Sequence, residues 1–360
     1  MKRNLWESCK KAVLLGGLGF LLVGCQADDL TKDTNITAPQ KMDAESPKDV
    51  EALEEEVFPH TFPLTGVGTK APPNNAALAV TINNHPSARP QSGLQAADIV
   101  YEVLAEGAIT RFLAIYHSQY PDTIGPVRSA REYYIELSQG YESLYVSYGH
   151  SPGALSLLAS GTIPHVNGMG YAYSHGYDGQ LFWRESSQRA PHNVYTSSDE
   201  LIQGVNHYDY ILSEPAPLLF TKTHSSAGEE VQAVEINYST RYNNKVIYTF
   251  DQETNKYKRV VNGEEQVDRL TKQPLAIKNV FIVEMTHGFL DDQGRRKIEL
   301  SDGGKAWLLT EGRMQEVTWE NINGRILPMS NGQLVPFTAG NTWINIIPKR
   351  AIEEQRISFQ

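Results

Sequence analysis

Short β-favouring segments separated by glycine-, proline- and asparagine-rich turns run along this chain from residue 78 to its end. From residue 228 onward, eight such segments follow one another without a helical pattern between them. In the first half they alternate with helical patterns, which cover residues 130–139, 154–160 and 197–206. This order predicts an α+β or α/β fold: a mixed-sheet N-terminal domain with helices, followed by an antiparallel β-rich C-terminal domain.

Four strands are predicted before the C-terminal half, at residues 78–82, 98–105, 109–116 and 143–148. Asp98, Glu102 and Glu106 also have helical spacing, so a helix stays an alternative for the second segment. Asn262-Gly263 and Asn323-Gly324 are typical of hairpin turns. The three C-terminal tryptophans are predicted to lie in the core; they are Trp307, Trp319 and Trp343.

The first 24 residues have the pattern of a secretory signal peptide. Lys2, Arg3, Lys10 and Lys11 precede an apolar run at 12–24, which is too short to span a membrane comfortably. The run ends Leu-Val-Gly-Cys and resembles a bacterial lipobox. That resemblance implies cleavage before Cys25 and lipidation of its thiol with fatty acyl chains such as palmitate. Several acyl chains on one cysteine would hold the protein stably at the outer face of the cytoplasmic membrane.

Residues 25–60 are predicted to be an acidic, disordered tether. Between residues 26 and 58, ten acidic residues stand against three lysines, and aromatic residues are scarce. Two domains are predicted after the tether. Residues 61–227 form an α/β domain, and residues 228–360 form a β-rich domain. The globular part is mildly acidic, which argues against nucleic acid as a partner.

The stretch Ile-Gly-Pro-Val-Arg-Ser-Ala-Arg-Glu at 124–132 is the candidate functional site. Ser129 and Glu132 have the spacing of a capping box, which predicts Ser129 as the helix N-cap and Gly140 as the C-terminal stop. Arg128 and Arg131 would then flank a first helical turn that itself favours anions. Arginine binds phosphate or carboxylate through two hydrogen bonds. The pattern predicts an anion site, unless Glu102, Glu106 or Asp98 neutralises the arginines as a structural ion-pair cluster.

Further candidates come from neighbouring segments. Ser151 and Pro152 predict a second helix start after a strand, and this helix N-terminus would bring His150 toward the arginines. The expected ligand-binding residues are Arg128, Ser129, Arg131, Arg111, Arg189, His150 and Asn193.

Enzyme signatures are scarce. The histidines do not form H-E-x-x-H, and a Walker loop does not occur. Both cysteines lie within the first 25 residues, so the folded part has no disulfide framework or cysteine metal site. We therefore expect neither a cofactor nor a metal. If the protein is an enzyme, Glu102 or Glu106 would be the base, or His192 the acid/base.

Several blocks together resemble the YerB-like lipoproteins, a two-domain family of bacterial, largely Gram-positive envelope proteins of unknown function. The resemblance implies an α/β N-terminal module and a β-rich C-terminal module outside the cytoplasmic membrane, but no activity. The blocks are Ala97–Glu102, Glu106-Gly107, Thr110–Phe112, Gly125–Arg131, Pro191–Asn193 and Gly340–Ile344.

Three hypotheses for the function follow. The first is a lipid-anchored binding module for an anionic envelope component: a lipid-linked phosphate, a wall polymer or a peptide carboxylate. The second is an envelope hydrolase or phosphotransferase that uses the same arginine cluster to stabilise a transition state. The third is a structural adaptor that recruits wall-synthesis proteins.

Overall fold

The computed structural model describes residues 57–170, 176–222, 227–239 and 244–360. The predicted signal peptide, Cys25 and the tether up to residue 56 lie outside the described residues. Within those ranges, the model contains no helix with the length and apolar character needed to cross a membrane.

Three α-helices occur in the described part of the chain: α1 (Glu132–Gln139), α2 (Pro152–Ala159) and α3 (Ser198–His207). Side chains cap the last two helices, and the helix start predicted at Ser151 is confirmed. The Ser151 side chain accepts a hydrogen bond from the backbone of Ala154, and the Ser197 side chain accepts one from Glu200. Short 3-10 turns occupy Pro86–Ala88, Leu94–Ala96 and Asp178–Leu181.

The strands of the first half are short except for three central ones. In chain order they are β1 (His60–Thr61), β2 (Gly68–Thr69), β3 (Leu78–Asn83), β4 (Ile99–Leu104), β5 (Thr110–Tyr116), β6 (Leu144–Ser147), β7 (His165–Asn167), β8 (Trp183–Arg184), β9 (Val194–Tyr195) and β10 (Phe220–Thr221).

The strands of the second half follow with few interruptions. They are β11 (Glu229–Glu230), β12 (Ala233–Asn237), β13 (Lys245–Asp251), β14 (Lys256–Val261), β15 (Glu264–Glu265), β16 (Ala276–Ile277), β17 (Asn279–Met285), β18 (His287–Phe289), β19 (Arg296–Ile298), β20 (Gly304–Thr310), β21 (Arg313–Ile322), β22 (Arg325–Ser330), β23 (Gln333–Leu334), β24 (Phe337–Thr338), β25 (Thr342–Pro348) and β26 (Ile357–Phe359).

A large mixed sheet of 12 strands forms the centre of the fold, in the order β23-β22-β21-β20-β17-β25-β4-β5-β3-β6-β7, with β11 beside β21. Strands from both sides of the predicted domain boundary at 227/228 therefore pair in one sheet, and the division into two domains stays a prediction. The C-terminal half was expected to be antiparallel. This is wrong at β25, which pairs in parallel with both β17 and β4.

Two apolar cores lie on the two faces of this sheet. One face packs against α1 and α2, because alternate residues of the central strands, such as Ala79 and Tyr101, join the buried side chains of both helices. The other face packs against an antiparallel sheet of β12 to β16 and β26, and against α3. The three tryptophans are buried as predicted, with exposures of 0–1%.

The expected strands at 98–105 and 109–116 are confirmed as β4 and β5, and the alternative helix is wrong. The burial explains why: all six residues of β4 are buried, as expected for a strand covered on both faces. The Asn-Gly turns are confirmed as well, since Asn262 and Asn323 both have positive φ, as a type I′ turn requires.

Candidate functional site

The pairing of the 124–130 segment determines where the candidate residues lie. Ile82 of β3 pairs with Val127, and the Val127 amide donates to the carbonyl of Val194 at 2.7 Å. The segment therefore lies between the end of β3 and the hairpin of β8 and β9. This arrangement brings Arg128 beside His192, which belongs to the loop of that hairpin.

Gly125 allows the segment to fit this closely. Its φ is +147°, and a Cβ there would lie 2.8 Å from the ring of Tyr195 and 2.9 Å from the carbonyl oxygen of Val194. A larger residue would push the hairpin away from the segment.

The helix start predicted at Ser129 is wrong. α1 begins at Glu132, its N-cap is Arg131, and no side chain caps it. Residues 128–130 are not helical, because the Arg128 amide donates to the Thr81 carbonyl (2.8 Å) and the Ala130 amide to the Gly149 carbonyl (2.9 Å). These bonds to neighbouring segments outweigh the local capping pattern, so Arg128 does not flank the first turn of a helix.

Glu106 is the counter-ion of two of the three arginines. Its carboxylate binds Arg111 at 2.6 Å and Arg131 through Nε at 2.7 Å and through Nη2. Backbone carbonyls take further donors, since Arg111 donates to Ser129 (3.1 Å) and Arg131 to Ala130 (2.6 Å). The alternative of an internal ion-pair cluster is thus observed for Arg111 and Arg131.

Arg128 differs from these two arginines. Its guanidinium makes no hydrogen bond or ion pair to the described residues, and its Nε is buried without a partner. Burial lowers the pKa of Arg128 to about 10, and the positive charges of Arg111 and Arg131 add to the effect beyond what Glu106 offsets. Three guanidinium groups therefore lie near one carboxylate, that of Glu106, and the guanidinium that is not paired with it, Arg128, is half-buried.

His85 and His192 stack next to Arg128, with ring centroids 4.5 Å apart and planes inclined by 18°. The side-chain amide of Asn83 determines which ring nitrogen of His192 carries the proton. The Asn83 Oδ1 accepts from the His85 backbone N–H (3.0 Å), so the NH₂ group of Asn83 is the one that faces His192 Nδ1, at 2.8 Å. The Nδ1 of His85 accepts from the backbone of Ser87 at 3.1 Å. Both Nδ1 atoms are therefore acceptors, and each neutral ring carries its proton on Nε2.

The charge state of the stack follows from its surroundings. Burial lowers the pKa of His85, and Arg128 and Arg89 lower it further. Burial also lowers the pKa of His192, with His85 and Arg128 as additional causes. At neutral pH both rings are uncharged, and each presents an Nε2–H donor that has no partner among the described residues. Together with Arg128 they form a group of donors without an acceptor.

Two carboxylates proposed as bases are engaged in ion pairs. Glu102 is fully buried and binds Arg259 at 2.6 Å, while Asn84 (3.1 Å) and Thr110 (2.8 Å) donate to its other oxygen. The pKa of Glu106 would be raised by burial, but its arginine partners outweigh this and lower it. The lowered pKa of Glu106 does not suit a base that works near neutral pH, and the ion pair with Arg259 occupies Glu102.

The remaining predicted ligand residues lie around this group. Ser129 donates to the Tyr148 carbonyl at 3.3 Å, and Asn193 is buried and accepts from Arg184 at 2.9 Å. His150 is half-buried in the strand-like segment that pairs with Ala130, and Arg189 is exposed in the hairpin loop. The N-terminus of α2 already holds a carboxylate, because Ser151 donates to Glu132 at 2.8 Å.

His85 is the site residue that sequence reasoning missed. It lies in the proline-containing loop that follows β3. The available signal was its position directly after a buried strand, where binding residues concentrate.

No group of three or more His, Cys, Asp or Glu able to hold a metal ion occurs within the described ranges.

A cavity of about 360 Å³ adjoins the histidine stack. Its three walls come from the loop after β3, the turn between β4 and β5, and the residues just before β13 and just after β14. Its lining includes Asn84, His85, Arg89, Glu106, Ile109 and Asn244.

Similarity to known proteins extends over both halves of the chain. The models of the "Protein of unknown function (DUF3048)" N-terminal and C-terminal domains match residues 64–210 and 234–344. A Bacillus subtilis (strain 168) protein named "Putative lipoprotein YerB" is 43% identical over 332 residues, which is 91% of this chain and 92% of the relative. The crystal structure of the YerB protein from Bacillus subtilis has a TM-score of 0.76 at 43% identity, covering 84% of this chain and 99% of that one.

Proposed function

The chain belongs to the DUF3048 family, whose function is unknown, and we propose that it is a lipid-anchored envelope protein that binds an anionic group at Arg128, His85 and His192. The name of its Bacillus relative supports an exported, membrane-anchored protein. We assign the anchor to Cys25, which would place the folded part at the outer face of the membrane on the acidic tether.

The observation that carries the binding proposal is the unpaired guanidinium of Arg128. A half-buried cation without a counter-ion costs stability, and the neighbouring Arg111 and Arg131 increase that cost. An anion would relieve it by accepting hydrogen bonds from the guanidinium and from the two Nε2–H groups. Arg111 and Arg131 then contribute through their positive charge, not through free donors, because Glu106 and backbone carbonyls occupy them.

The ligand, in this proposal, is a phosphate or carboxylate of a cell-envelope component. The site contains donors from three segments of chain, namely the loop after β3, the 124–130 segment and the β8–β9 hairpin. Binding would therefore hold these segments together, so we expect the folded protein to unfold at a higher temperature when an anion is present.

The test compares Arg128→Gln with Arg350→Gln, which removes the same charge from an exposed loop position. Titration with sulfate, followed by isothermal calorimetry, should show at least about tenfold weaker binding for Arg128→Gln, since a charge-assisted hydrogen bond contributes roughly 1.5–3 kcal/mol. Arg350→Gln should bind as the unchanged protein does.

Thermal unfolding of the same variants separates binding from folding. Without ligand, Arg128→Gln should be as stable as the unchanged protein or more stable, because the substitution removes an uncompensated half-buried charge. Equal sulfate affinity for Arg128→Gln and the unchanged protein would contradict the proposal.

A further inference from the structure

The cavity beside the histidine stack has the size of a small-molecule site. Its volume of about 360 Å³ lies near the lower end of the range of roughly 300–1,000 Å³ found for such sites. It shares His85 with the proposed anion site. A group attached to an anion held by His85 can therefore extend into the cavity.

The cavity walls disfavour a second charged group on the ligand. Pro86, Ala108 and Ile109 contribute apolar surface. Glu106 and Arg89 also line the cavity, but Glu106 is paired with Arg111 and Arg131. The guanidinium of Arg89 donates to the side chain and the carbonyl of Asn84. A second anion would therefore exchange its water for largely apolar surface, which is unfavourable. A polymer with one phosphate per repeat would place such an anion here.

The polar side chains of the walls are already engaged within the protein. The amide of Asn84 donates to Glu102 (3.1 Å) and Thr110 (2.8 Å), and its oxygen accepts from Arg89 (3.0 Å). Asn244 donates to the Ala108 carbonyl at 2.6 Å. The cavity thus offers shape and apolar surface with few free hydrogen-bonding groups, which suits a neutral substituent.

On the basis of the proposed function, we propose that the ligand is an organic phosphate with a single phosphate group. The phosphate lies at Arg128, His85 and His192, and its neutral substituent occupies the cavity next to Ile109. This selects a terminal phosphate on a sugar-sized or prenyl-like group over a polyanionic wall polymer.

The experiment measures dissociation constants of the full chain for four probes: inorganic phosphate, glucose 1-phosphate, isopentenyl monophosphate and pyrophosphate. At least one of the two organic phosphates should bind about tenfold more tightly than inorganic phosphate, which is the effect of burying roughly two methylene groups. The probe that gains affinity distinguishes a sugar from a prenyl substituent. Pyrophosphate should gain nothing over inorganic phosphate.

Two tryptophan variants test whether the cavity is responsible. Ile109→Trp fills the cavity, and the side chain it replaces is 38% exposed. Ile352→Trp is the matched control, because Ile352 is 48% exposed and does not line the cavity. We expect Ile109→Trp to abolish the preference for the organic phosphate while its affinity for inorganic phosphate stays unchanged. Ile352→Trp should change neither.

The outcomes separate the two proposals. If inorganic phosphate binds but neither organic phosphate binds more tightly, or if pyrophosphate binds most tightly, the inference about the cavity is overturned and the anion site remains. A preference that survives in Ile109→Trp overturns it as well. If none of the four probes binds, the proposed function itself fails.

Discussion

The buried ion pair between Glu102 and Arg259 gives the sharpest test of how the two halves of the chain are joined. Both side chains are completely inaccessible, and their closest atoms are 2.6 Å apart. Glu102→Gln keeps the size and one oxygen, so Asn84 and Thr110 retain an acceptor. The amide that replaces the second oxygen faces the guanidinium with its own N–H donors. The substitution therefore leaves a buried cation without a counter-ion.

The expected loss follows from that geometry. Removing one partner of a buried ion pair costs about 3–5 kcal/mol, because the remaining charge is desolvated and uncompensated. Arg259 keeps contacts with the rings of Phe112, Tyr248 and Trp343, whose centroids are 5.1–5.8 Å away, so we expect about 4 kcal/mol. At roughly 2–4 °C per kcal/mol, this lowers the unfolding temperature by about 8–16 °C.

The assay is chemical and thermal unfolding of Glu102→Gln, Arg259→Met and the double variant. Since either single substitution breaks the same pair, we expect a coupling energy of about 2 kcal/mol or more. Glu235→Gln is the control, because it breaks the partly exposed pair with Lys245 and should cost less than about 1 kcal/mol. Additive single losses, or a loss below about 1 kcal/mol for Glu102→Gln, would refute the reasoning.

Two further predictions concern the site and the anchor. The pKa values of His85 and His192 in the free protein lie below the ordinary value, and a bound anion favours protonation of both rings. Sulfate affinity should therefore rise as the pH falls from about 8 to about 5. The rise is at most tenfold per pH unit for each proton taken up. Calorimetric titrations at several pH values would show this, and a double His→Gln variant that kept the same pH dependence would contradict it. Cys25→Ser should move the protein from the membrane fraction to the soluble fraction. Cys9→Ser should not, because only Cys25 stands in the lipobox. Cell fractionation followed by immunoblotting measures this, and membrane retention of Cys25→Ser would exclude lipidation as the anchor.

Much of the secondary structure could be predicted because local patterns and tertiary contacts agree. The strand at 109–116 and the helix that follows Ser151 were predicted within two residues, since apolar runs and caps point to the same element. The failure at Ser129 arises where they conflict. A capping box predicts a helix start there, but residues 128–130 gain more from pairing with neighbouring segments.

The site could be predicted only in part, for a related reason. The sequence shows three arginines and several carboxylates, but their pairing depends on how β4 and β5 lie against the 124–130 segment. In that packing Glu106 forms ion pairs with Arg111 and Arg131, and Arg128 has no counter-ion among the described residues. His85 joins the site because the end of β3 pairs with the same segment, through Ile82 and Val127, which are 45 positions apart in the chain. Neither fact is visible from local spacing.

The position of β25 has a consequence for how this protein is made. The strand lies between β4 and β17 in the middle of the sheet, yet about 240 residues separate it from β4 along the chain. At 5–20 residues per second, roughly 10–50 s separate the completion of β4 from the arrival of its neighbour. During that interval one edge of β4 is open to pairing with other chains, so a truncated copy that lacks the last twenty residues would keep an aggregation-prone edge permanently.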